Sequence, residues 1–144
     1  MKRISSFVGV CLLAGAFVPA ASAALGGYSG DIDDGFDGVL AFEVVKTDDG
    51  RFVRALEADI HVNCEEDSGA LDLEAQGRFR VKHGHWDGTR PTGNTEIGKG
   101  GEVTFTGEVK GDEADGTIKF VDEKSDFGRC RSGKRDWAAE QLNH

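Results

Sequence analysis

Two stretches of this chain gather side chains able to bind or react. The first is His83-Gly84-His85-Trp86-Asp87, followed by Arg90. Two histidines one residue apart can share a metal ion, with Asp87 and the distant His61 as further donors. No third ligand stands at a defined spacing, so the metal signal is weak. Tryptophan and arginine are enriched at contact surfaces, which makes His83, His85, Trp86 and Arg90 the candidate partner contacts. The second stretch is Asp31, Asp33, Asp34 and Asp37 around Gly35. Oxygen-rich loops hold Ca²⁺, but the spacing is not that of an EF-hand and no bidentate Glu follows. Asp-Asp-Gly is also ordinary turn chemistry, and Thr47-Asp48-Asp49-Gly50 repeats it.

Catalytic patterns are missing. There is no Gly-x-Ser-x-Gly elbow and no phosphate loop. Serine, histidine and aspartate are present, but no spacing singles out a triad. The expectation is therefore a binding protein, not an enzyme, with no cofactor.

The compartment follows from the first 23 residues. Lys2-Arg3, an apolar run from Phe7 to Val18, Pro19 and Ala21-Ser22-Ala23 read as a secretory signal peptide, residues 1–23. The apolar run is about half of the roughly 20 residues that a spanning helix needs. Lipidation at Cys11 is the alternative, against which Val10 stands where a small residue usually precedes such a cysteine. The mature part, residues 24–144, is one secreted β-domain by its length. Loss of Lys2 and Arg3 moves the formal net charge from −9 to −11. So acidic a chain is a poor partner for nucleic acid or anionic lipid. Removal of Cys11 leaves Cys64 and Cys130, most simply one disulfide in an oxidising compartment. Its closure stabilises the fold by about 4 kcal/mol in the chain-entropy account.

The elements that position these residues read as strands. From Phe52 to Cys64 the even positions Phe52, Arg54, Leu56, Ala58, Ile60, Val62 and Cys64 share one face, with Glu57, Asp59, His61 and Asn63 on the other. Leu71, Leu73, Ala75, Phe79 and Val81 share a parity, with Gly77 as a bend among them. Val103, Phe105 and Val109, then Ile118 and Phe120, then Leu40, Phe42 and Val44, make further inward sets. A last strand around Arg135–Ala139 carries Trp137, and Ala138–Asn143 is the one helix candidate. Residues 83–101 read as one long connection, beyond the usual ~12–15 residues. Tyr28-Ser29-Gly30-Asp31-Ile32 with Asp37-Gly38-Val39-Leu40-Ala41-Phe42 is echoed by Phe105-Thr106-Gly107-Glu108-Val109 with Asp115-Gly116-Thr117-Ile118-Lys119-Phe120, two hairpins of one pattern. Short strands with Gly-rich turns mean an all-β fold: an antiparallel β-sandwich or a flattened up-and-down β-barrel of seven or eight strands, with one disulfide.

The ending Cys130-x-Ser132-Gly133-x-x-x-Trp137-x-Ala139 resembles that of small secreted β-domains of actinobacterial type. An opening like Gly26–Gly30 and a mid-chain cysteine like Cys64 recur in that group. The resemblance implies the fold and the disulfide. It brings no activity and no catalytic residue. Three roles follow for such a domain: binding an extracellular or cell-envelope protein or glycan, inhibiting a basic extracellular hydrolase by charge complementarity, or binding calcium through the Asp31–Asp37 cluster.

Overall fold

A computed structural model describes residues 25–142; the leader expectation for residues 1–23 lies outside them. Ten strands form one antiparallel sheet: β1 (Gly26–Asp33), β2 (Val39–Thr47), β3 (Gly50–Cys64), β4 (Ser68–Glu74), β5 (Phe79–Val81), β6 (His85–Pro91), β7 (Glu102–Lys110), β8 (Glu113–Ser125), β9 (Gly128–Arg131) and β10 (Arg135–Gln141). Two lines of chain are interrupted. β4 and β5 both pair with β3, around a bend at Gly77 (φ 91°). β9 and β10 both pair with β8, either side of residues 132–134. Ten strands thus occupy eight lines. Each line pairs with the next in sequence, and β10 pairs with β1. The β4–β5 line meets β6 through the Ala75–Thr92 bridge and the Gln76 N–H to Pro91 carbonyl bond of 2.8 Å. The sheet therefore closes on itself as an up-and-down barrel. The expected all-β architecture holds, in its barrel form. Among the described residues no helix is long and apolar enough to cross a membrane.

An eight-line barrel is just wide enough to be filled by its own side chains, and this one is filled. The inward positions form one core that includes Tyr28, Phe42, Phe79, Trp86, Phe105, Phe120 and Trp137. Phe42 meets Trp86, Phe105 and Trp137 edge-on, each at 5.5 Å between ring centroids. Such edge-to-face pairs add about 0.5–1.5 kcal/mol each beyond their buried area. Register explains how two indoles fit. Trp86 stands opposite Gly107, Gly107 opposite Gly116, and Gly116 opposite Trp137. A Cβ on Gly107 would overlap the Trp86 ring, and one on Gly116 would overlap the Thr106 carbonyl. Trp137 Nε1–H donates to the carbonyls of Thr106 at 3.2 Å and Thr117 at 3.1 Å.

The two ends of the barrel differ. One end is made of tight turns at Asp48–Asp49, His83–Gly84 and Gly111–Asp112. His83 (φ 53°) and Gly84 (φ 81°) both take positive φ, as a type I′ turn requires, and Lys82 and His85 exchange both backbone hydrogen bonds. At the other end β3 outruns β2. Its tip crosses to β9, pairing Asn63 with Arg131 and Cys64 with Cys130, where the disulfide forms. Ile97, in the turn Thr95–Gly98, packs against the core there and accepts the Asp126 N–H at its carbonyl.

Three sequence expectations are corrected. The alternation in β3 holds from Leu56 to Cys64 but not before. Ala55 takes φ 56° at a register shift against β2, and the extra residue reverses parity. Val53 is the inward residue, while Phe52 and Arg54 face outward. The helix candidate Ala138–Asn143 is strand through Gln141, paired on both edges, and Asn143 lies outside the described residues. The 83–101 connection contains β6, which leaves an ordered crossing of residues 92–101. The echoed segments are both hairpins, β1–β2 and β7–β8, but in different register. Tyr28 pairs with Phe42, whereas Phe105 pairs with Ile118 and not with Phe120.

Candidate functional site

With the interior full, the concave surface lies on the outer wall. A groove of about 740 Å³ runs over β5 to β8. Its cations are Arg80, Lys82, Arg90 and, when protonated, His85; its acids are Asp87, Glu108 and Asp115. Alternation sets this lining. With Phe79 and Trp86 inward, Arg80, His85 and Asp87 take the outer face.

The acids are largely engaged. Glu108 meets His85 Nε2 at 3.3 Å and Lys110 Nζ at 3.6 Å, and Asp115 lies 4.0 Å from Lys110 Nζ. Among the described residues no carboxylate comes within ion-pair distance of Arg80, Lys82 or Arg90. Backbone carbonyls and rings hold the two arginines instead. Arg80 Nη1 donates to the Asp49 carbonyl at 2.8 Å, and its guanidinium lies 4.8 Å from the Phe52 centroid. Arg90 has inward parity but threads the seam beside Gly77. It donates from Nε to the Arg78 carbonyl at 2.9 Å and from Nη1 to the Thr89 carbonyl at 2.8 Å. The groove thus offers two guanidinium groups held in place, with the exposed Lys82 ammonium beside them.

The expected contacts separate in part: His85, Trp86 and Arg90 line the groove. His83 is exposed in the turn. The Trp86 indole is 97% buried in the core, with no hydrogen-bond acceptor for its Nε1–H, so it serves packing more than contact. The expected histidine pair flanks Gly84 and does not converge with His61. Among the described residues no three His, Cys, Asp or Glu side chains gather as metal ligands.

The aspartates separate as well. Asp31, Asp33 and Asp37 are exposed, and Asp34 is buried. Asp34 Oδ1 accepts the Phe36 N–H at 2.8 Å, and Oδ2 accepts the His61 N–H at 3.1 Å. Burial pushes its pKa up, but those donors, with the N–H groups of Gly38 and Asp34 itself, outweigh burial and hold the carboxyl below its ordinary value. Asp34 is thus the fastener of the β1–β2 loop.

That loop displays what sequence reasoning missed. Phe36 is 62% exposed and stacks on the His61 ring, 3.7 Å between centroids and 13° between planes. A phenylalanine inside an acidic turn, off any alternating register, was the available signal. Beside it lies a hollow of about 530 Å³ lined by Asp34, Asp37, Asp59, His61 and Ala70. No protein-family model, curated protein or solved structure matches the chain.

Proposed function

We propose that this chain is an exported, non-catalytic barrel that binds an extracellular or cell-envelope partner, protein or glycan, along its β5–β8 wall. The supporting observation is the groove itself. A filled barrel leaves ligands the outside, and there Arg80, Lys82 and Arg90 present donors with no carboxylate partner on a chain of net charge −9. Donors held by carbonyls and rings lose little freedom on binding, which favours affinity. The disulfide is in keeping with export, and so is the Cys130–Ala139 ending, whose proposed kinship carries no activity with it.

The test immobilises the wild type and the double variant Arg80→Glu/Lys82→Glu, and passes culture supernatant and cell-wall extract of the producing organism over both. Both side chains are exposed, so melting temperatures should stay within a few degrees. Loss of one recovered component on the variant is the expected result. Equal recovery on both surfaces removes the proposal.

A further inference from the structure

Phe36 and Phe52 both lie outside the barrel core, and they are treated differently. Phe52 is covered by the chain's own cations: the Arg78 guanidinium lies 3.6 Å from its ring centroid and that of Arg80 4.8 Å. Only 3% of Phe52 remains exposed. Phe36 has no such cover. One face of its ring rests on His61, the other is open, and among the described residues it is the one large apolar side chain left exposed.

The open ring is held in place. Asp34 fastens the backbone of Phe36 to that of His61. The loop is closed beneath by the Ile32 N–H to Gly38 carbonyl bond of 2.9 Å. Around the ring the charge is opposite to that around Phe52. Asp31, Asp33 and Asp37 are exposed on the same segment, and Asp37 and Asp59 line the adjoining hollow. An aromatic face carries negative quadrupole density that attracts a cation placed over it, and nearby carboxylates supply the hydrogen-bond acceptors a guanidinium needs.

We infer that the Phe36 loop is a docking site for an arginine or lysine side chain of a basic protein, which covers Phe36 from outside as Arg78 and Arg80 cover Phe52 from within. The site lies toward the disulfide end of the barrel, away from the β5–β8 groove, and does not depend on it. Net charge of −9 draws such a partner in, and the fixed ring and Asp37 hold the arriving side chain. The expectation of an acidic inhibitor of a basic hydrolase thereby acquires a named anchor.

The experiment titrates the isotope-labelled protein with three probes and reads the Phe36 and His61 ring resonances. The probes are hexa-arginine, lysozyme as a folded basic protein, and chitohexaose as a neutral glycan able to stack on aromatics. Hexa-arginine and lysozyme should shift both rings, less so at high salt. Phe36→Ala should weaken hexa-arginine roughly 2–5-fold with an unchanged melting temperature, and Phe36→Trp should restore binding. Shifts spread over the acidic surface with equal affinity for Phe36→Ala would overturn the inference. So would ring shifts with chitohexaose alone. Arg80→Glu/Lys82→Glu makes the chain more acidic and should strengthen the general attraction, but it should keep the Phe36 and His61 ring shifts and their loss of affinity on Phe36→Ala, so failure here is separable from failure of the groove.

Discussion

The two ends of this barrel solve closure in opposite ways. At the turn end each connection is two residues long and its backbone closes on its own flanking pair, as at His83–Gly84, where Lys82 and His85 pair with each other, with side-chain bonds such as Tyr28 to Gly111 laid across the turns. At the disulfide end the connections are longer, and residues far apart in sequence do the joining. Cys64 bonds Cys130, 66 residues away, and Asp34 reaches His61, 27 residues away. Local closure adds little order per bond but forms easily. A covalent link across a long loop removes freedom from the unfolded chain, so the disulfide stabilises more than a local turn does, whereas the Asp34 bonds act only in the folded state.

That contrast can be broken hardest at the disulfide. Cys64→Ala with Cys130→Ala should cost about 4 kcal/mol in a denaturant titration. Amide exchange should accelerate first at the β3 tip and in β9, while the Lys82 and His85 amides keep their protection. Uniform acceleration at both ends would mean that the ends do not unfold separately.

Asp34→Ala comes next, at roughly 2–3 kcal/mol, since it strips acceptors from the Phe36 and His61 amides. Its pH signature has a defined sign. The folded pKa lies below the ordinary 3.8, so the contribution is complete above 3.8 and disappears as pH falls through the folded value. Acid unfolding curves of wild type and variant should converge at low pH.

The turn end has a smaller, alkaline counterpart. Tyr28 donates its hydroxyl to the Gly111 carbonyl at 3.1 Å. Burial, with help from Asp112 and against Arg51, raises its pKa from 10.0 to about 12. Its contribution is complete below pH 10 and is lost as pH climbs through 12. Tyr28→Phe should cost about 1 kcal/mol at neutral pH and flatten that alkaline limb. Smallest of all is His83→Asn. Asparagine tolerates the left-handed region better, so a gain of a few tenths of a kcal/mol in thermal melts is expected.

How far the sequence could be read followed the same division. Where a strand alternates without interruption, as from Leu56 to Cys64 or through Leu71 and Leu73, side-chain type announced the buried face. The bulge at Ala55 carries no such mark, because alanine is not a residue that ordinarily signals positive φ, so alternation alone places Phe52 on the wrong side. β6 is hidden because its inward positions are Trp86, Gly88 and Arg90, only one of them large and apolar. Gly88 yields its space to the Phe79 ring, a relation between strands that no local pattern contains. At the candidate sites, residue types pointed to His85 and Arg90. The uncovered face of Phe36 depends on which cations come near it, and only the folded register decides that.

The Trp86–Gly107–Gly116–Trp137 row has an optical consequence. The chain's two tryptophans stand 6.0 Å apart with their planes 27° from parallel. Indoles so close should couple electronically and give a paired, oppositely signed circular-dichroism band in the near ultraviolet. Their emission should be blue-shifted by the dry surroundings. Every tryptophan photon from this protein reports on one place, the middle of the barrel. The signal should stay dark to a ligand arriving at the Phe36 loop and disappear when the barrel opens, which makes it a built-in gauge for telling binding there from unfolding.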